Sequence, residues 1–134
     1  AELVTRCPDQ PFVLDHLAKP PIASGAMSGW QEDIRRLAQA PTVYCKLSGM
    51  VTEANWQHWQ SSDLLPYIDV AYDAFGPDRL MLGSDWPVCT LAGDYARVID
   101  VVADYCAQQG PTASDILGDN AARFYGLGEM LSDQ

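Results

Sequence analysis

Apolar positions along the chain fall into two alternating rhythms, short unbroken runs and longer stripes at helical spacing, and each run gives way to polar residues at its far end. Phe12–Leu14 is a short apolar run between Pro8 and the turn-rich stretch from Lys19 to Gly25, which predicts a buried strand ending at Asp15 and His16. From Met27 to Ala40 the apolar positions Trp30, Ile34, Leu37 and Ala38 recur at helical spacing, with Ser28 as N-cap and Pro41 as the stop. Thr42 to Leu47 is rich in β-formers and runs into Ser48 and Gly49, giving a second strand. Asn55 to Phe75 carries a helical stripe that includes Trp56, Trp59, Leu64, Ile68 and Phe75; Pro66 interrupts it, so one long helix or two short ones fit. Arg79 to Leu82 leads into GSDWP as a third strand, and Asp94–Gln109 and Thr112–Tyr125 read as two closing helices.

Strand, helix, strand, helix, strand, helix, helix is an α/β order, and the alternation predicts parallel βαβ units rather than hairpins. The three strand ends carry DH, KLSG and GSDW. Polar groups gathered at the carboxyl ends of parallel strands are where such folds keep their sites.

Composition narrows the partners. The 134 residues are 48% hydrophobic, with ten Gly and nine Pro, which fits one globular domain. Eighteen acidic against eight basic residues give a net charge of -10, so phosphate backbones and anionic lipid would repel the chain, and neither nucleic acid nor a membrane is expected as a partner. Neither a signal-peptide pattern nor an apolar run of about 18 residues is visible, and the expected location is the cytoplasm. Cys7, Cys45, Cys89 and Cys106 form no CxxC pair and are expected to be reduced thiols. Cys89 lies beside GSDWP without a neighbouring cation to activate it as a nucleophile.

Among candidates for chemistry, Asp85 stands first, because a carboxylate on a rigid strand end can be held dry enough to act as a general base; the same residue type also caps loops. His16, directly after the first strand, can face it across a barrel mouth, though a lone His is also a common structural group. Asp15 would point to the opposite face if the strand continued, as a structural hydrogen-bonding group. Lys19 and Lys46 are the cations nearest the strand ends, able to hold a substrate carboxylate or oxyanion, or simply solvated. His58, in a WQHWQ stretch expected to be helical, reads as a solvated or capping group. Ser48 and Ser84 lie outside any GxSxG pattern, so neither is a nucleophile-elbow serine.

The blocks FVLDHLAKP (Phe12 to Pro20), VYCKLSGMVTEANW (Val43 to Trp56), FGPDRLMLGSDWPV (Phe75 to Val88) and NAARFYGL (Asn120 to Leu127) together resemble the amidohydrolase-related lactonase family, which contains sugar lactonases and 2-pyrone-4,6-dicarboxylate hydrolase. The resemblance implies a (β/α)₈ barrel of which residues 1–134 form the C-terminal part, about three parallel strands with their following helices. It implies water attack on a lactone carbonyl, with Asp85 as general base and His16 orienting or polarising the substrate. Where a member binds a metal, His16 and Asp85 would be ligands; either no cofactor is required or one divalent metal, such as zinc, is used. Trp86 would wall the pocket, or pack in the core. The family's HxH pair belongs to its first strand, and this chain, with only His16 and His58, does not contain it. The expectation is therefore a lactone hydrolase active only in a complete barrel, one that needs another chain or the missing N-terminal half. The alternatives are a metal-dependent decarboxylase of the same superfamily and a non-catalytic interaction subunit.

Overall fold

The computed structural model describes residues 1–127, so the last seven positions of the expected domain lie outside the described residues. Among the described residues there are three parallel strands, β1 (Phe12–Leu14), β2 (Val43–Leu47) and β3 (Leu80–Leu82), in the order β1-β2-β3. Around them lie α1 (Glu2–Arg6), α2 (Trp30–Ala38), α3 (Ser61–Phe75), α4 (Tyr95–Gln109) and α5 (Asp119–Tyr125).

Several boundaries differ from the sequence reading for local reasons. Helix α2 begins only at Trp30, because Gly29 takes a positive φ of 80° and Ser28 makes no cap. Asn55 to Gln60 forms turns rather than helix, and α3 starts where the Asp63 carboxylate accepts the Gln60 backbone N–H at 2.8 Å. Pro66 does not split α3 and lies on its exposed face. Asp94 caps α4 by accepting from the Arg97 N–H at 2.8 Å. The expected Thr112–Tyr125 helix is instead a 3₁₀ segment, Pro111–Leu117, and then α5, parted at Gly118. Helix α1 has no buried residue and left no apolar stripe to read.

Register explains which face carries the core. Leu14, Cys45 and Leu80 are aligned, as are Leu47 and Leu82, so these side chains share one face. That face packs on Ile34 and Ala38 of α2, on Leu64, Ile68 and Ala71 of α3, and on Val98 and Val102 of α4, in one continuous core. Tyr44 and Lys46 point the other way, where Phe124 of α5 meets Tyr44 edge-to-face at 4.9 Å. Two polar ties, one half-buried and one fully buried, hold strand starts in place. Arg79 donates to the carbonyls of Phe75, Ala38, Ala40 and Val43, fastening the end of α2 to the start of β2. Asn120, fully buried, donates to the carbonyls of Pro77 and Leu80 at 2.7 Å each and locks α5 beneath β3.

Candidate active site

All three strands deliver polar residues at their carboxyl ends. Strand β1 stops at Leu14, and Asp15–Ala18 forms a 3₁₀ turn in which His16, Leu17 and Ala18, followed by Lys19, all take positive φ between 50° and 55°. Such a run is strained for residues with a Cβ. It persists because Leu17 is completely buried and its carbonyl accepts the Trp30 indole N–H at 2.7 Å. The turn swings the His16 ring over the end of β2, where Nδ1 lies 2.8 Å from the Ser48 hydroxyl. Gly49 permits that approach: a Cβ there would stand 2.8 Å from the His16 ring, and its own φ is 63°. Strand β3 ends one step before Gly83, where a Cβ would lie 3.0 Å from that of Ser48.

Asp85 completes the cluster, with Oδ1 3.5 Å from His16 Nε2 and a side chain only 15% exposed. It too has a left-handed φ, 58°, of the kind that persists where surrounding structure over-determines it and that collects at functional sites. Its carbonyl accepts the Cys89 N–H at 2.9 Å, and the Ser84 hydroxyl accepts the Trp86 N–H at 3.1 Å, so the turn is fixed on both sides. The result is a row of Asp85, His16 and Ser48 drawn from three separate βα units.

Of the residues singled out by sequence, His16 and Asp85 meet. Lys19 and Lys46 instead each hold a carboxylate: Lys19 pairs with Glu53 at 3.2 Å, and Lys46 with Asp15 at 3.0 Å. The Asp15 contact holds the Lys46 ammonium above its usual pKa, aided by Tyr125, whose ring lies 5.8 Å below it. Asp15 therefore sits in a turn, not on a continued strand, but is a structural partner as expected. Trp86 is 67% exposed and does not join the core. His58 is exposed in a turn, and its neighbour Trp59 is the buried one, donating to the Ala92 carbonyl at 2.7 Å under the Arg97 guanidinium at 3.7 Å. No disulfide joins the cysteines; Cys7 is exposed and the other three are buried. Burial pushes the Cys89 thiol up, with the charge of Asp85 adding to the effect, and pushes Cys45 up to about 12. Neither is poised as a nucleophile.

Ser48 and Gly49 are the site residues that sequence reasoning passed over. Their one signal was position, in KLSG at the end of an apolar run. As for a metal, the 3.5 Å spacing of His16 Nε2 and Asp85 Oδ1 matches two corners of a tetrahedral site. A catalytic zinc takes three protein ligands, and the described residues hold no group of three His, Cys, Asp or Glu side chains placed to bind one. These residues therefore do not make a complete metal site by themselves.

Comparison with known proteins places this geometry in context. A family profile described as amidohydrolase matches residues 1–127. An L-fucono-1,5-lactonase of Burkholderia multivorans is 44% identical over 129 residues, covering 88% of this chain and 44% of that protein. A second L-fucono-1,5-lactonase, from Burkholderia ambifaria, is 42% identical over 134 residues, covering 96% of this chain and 46% of that one. The crystal structure of a Burkholderia multivorans amidohydrolase with bound zinc superposes with a TM-score of 0.87 at 41% identity, over 93% of this chain and 47% of that chain. The chain thus spans about half the length of the curated relatives it matches.

Proposed function

The chain belongs to the amidohydrolase family, and on that premise we propose that it is part of a lactone hydrolase, a carboxylic ester hydrolase built on a (β/α)₈ barrel. The resemblance of its four sequence blocks supports reading it as the C-terminal part of that barrel. Two named lactonase relatives above 40% identity support the reaction class. The observation that carries the reading is the pairing of His16 with Asp85 at the carboxyl ends of parallel strands.

In the proposed reaction Asp85 takes a proton from water as the water oxygen bonds to the lactone carbonyl carbon. The ring C–O bond of the tetrahedral intermediate then breaks, and the proton held by Asp85 passes to the leaving ring oxygen, giving the open hydroxy acid. A lactone is already a reactive ester, so a positioned base and donors at the oxyanion suffice for hydrolysis. His16 beside the base orients the substrate. Trp86, exposed next in sequence, offers an apolar wall. Lys19 and Lys46 can hold a substrate carboxylate only by exchanging it for Glu53 and Asp15. A divalent metal such as zinc would take His16 Nε2 and Asp85 as ligands with a third from outside the described residues, and Nε2 carries a proton only in the metal-free site.

The test is proton release from a panel of sugar-acid γ- and δ-lactones by the protein carrying this chain, compared with Asp85→Asn. Loss of a general base is expected to lower turnover on the order of 10²-fold or more. An Asp85→Asn variant as active as the parent would remove Asp85 from the chemistry.

A further inference from the structure

The Ser48 hydroxyl is buried, only 2% exposed, and among the described residues its side-chain hydrogen-bond partner is Nδ1 of His16 at 2.8 Å. A hydroxyl carries one donor hydrogen and two acceptor lone pairs, whereas a neutral imidazole has one donating and one accepting nitrogen. Two arrangements are therefore open. If Nδ1 carried the proton and donated to Ser48, the buried hydroxyl hydrogen would be left without that partner, and the bare lone pair of Nε2 would face the Asp85 carboxylate across 3.5 Å. If the hydroxyl donates to Nδ1, its hydrogen is used and the ring proton sits on Nε2, attracted by Oδ1 of Asp85. The second arrangement satisfies both contacts and the first satisfies one.

We propose, resting on the lactonase reading above, that Ser48 is a positioning residue whose hydroxyl donates to Nδ1 of His16 and so keeps the imidazole proton on Nε2, directed at Asp85 and the substrate. The glycines on either side are part of the same device. Gly49 leaves room for the ring at a point where a Cβ would overlap it, and Gly83 leaves room behind Ser48, so hydroxyl and imidazole stay in one relative pose. His16 then presents one hydrogen-bond donor at the strand ends; a lactone carbonyl oxygen that accepts it takes the place of the Asp85 carboxylate, which is then free to accept a proton from water. Removing the hydroxyl leaves the His16 ring in place but frees its proton to move between the two nitrogens.

Nitrogen-15 NMR of histidine-labelled protein reads the tautomer directly, without any substrate, and so decides this inference even if the protein opens no lactone. The expected result is the Nε2–H pattern for neutral His16 in the parent and a mixture of tautomers in Ser48→Ala. On lactone hydrolysis, Ser48→Ala is expected to lower kcat about 10- to 100-fold, by analogy with the loss when the partner of a metal-bound histidine is removed, with KM nearly unchanged. In a His16→Gln background the same substitution is expected to cost little more, because its effect passes through the ring. Ser48→Gly, which removes the hydroxyl without adding bulk, serves if the alanine variant does not fold, and is expected to show the same tautomer mixture. An Nδ1–H pattern in the parent, or a Ser48→Ala loss that persists undiminished without His16, would overturn the assignment.

Discussion

At the residue scale, the site depends on side chains that are absent as much as on those present. Gly49 combines a φ of 63° with a position where a Cβ would stand 2.8 Å from the His16 ring, so Gly49→Ala meets both backbone strain and a clash. The clash falls on a ring held by Ser48 and Asp85 rather than on a flexible chain end. The expected outcome is a loss of roughly 1–3 kcal/mol of stability in denaturant titration, from the backbone cost, together with a fall in lactone turnover of at least about tenfold from ring misplacement. By contrast, Gly25→Ala, at a φ of 68° with open space around its Cβ, should show the strain and leave turnover unchanged. Equal effects on turnover at the two positions would show that the His16 approach is not what Gly49 protects.

At the element scale, short strands are held by polar ties from the segments between them. Asn120 reaches from the first turn of α5 to the carbonyls of Pro77 and Leu80, just before and at the start of β3. Asn120→Ala leaves the buried Leu80 oxygen and the part-buried Pro77 oxygen without that donor, and the expected cost is about 1–3 kcal/mol in urea unfolding. Asp119→Ala, one residue earlier on the exposed side, should change stability by less than about 0.5 kcal/mol. A comparable shift in the two variants would remove the tie as the reason α5 stays under β3. Element types were legible in advance wherever an apolar run or stripe was long, as in β2, α3 and α4. The misses share a cause. The turns around Trp59 and the break at Gly118, like the choice left open at Pro66, are decided by which face of a segment meets the core, and periodicity does not report that.

At the scale of the whole molecule, a parallel sheet is normally covered on both faces. Here one face carries the core, while β1 and β3 each pair only with β2 among the described residues, leaving an open edge on either side. Trp86, Val88, Leu91 and Tyr95 add exposed apolar surface along the segment that follows β3. The 134-residue chain expressed alone is expected to self-associate and to turn over no lactone. Co-expressed with the complementary half of the Burkholderia multivorans lactonase, it is expected to form a 1:1 complex with measurable hydrolysis. Light scattering and proton release check both arms, and a monodisperse, active monomer of the isolated segment would refute the incomplete-barrel reading.

The alternation of runs and stripes fixed the α/β order, and polar residues at the ends of apolar runs pointed to His16 and Asp85, because both signals are local: a strand must hide its side chains and give way to polar groups where it leaves the sheet. What the tertiary structure alone decided is the set of partners. Ser48 meets His16 across 32 positions of sequence, and Lys46 turns to Asp15 rather than to an open pocket. Parallel pairing and the left-handed turn at His16 bring these groups together, and neither a register nor a φ angle leaves a mark in the spacing of apolar residues.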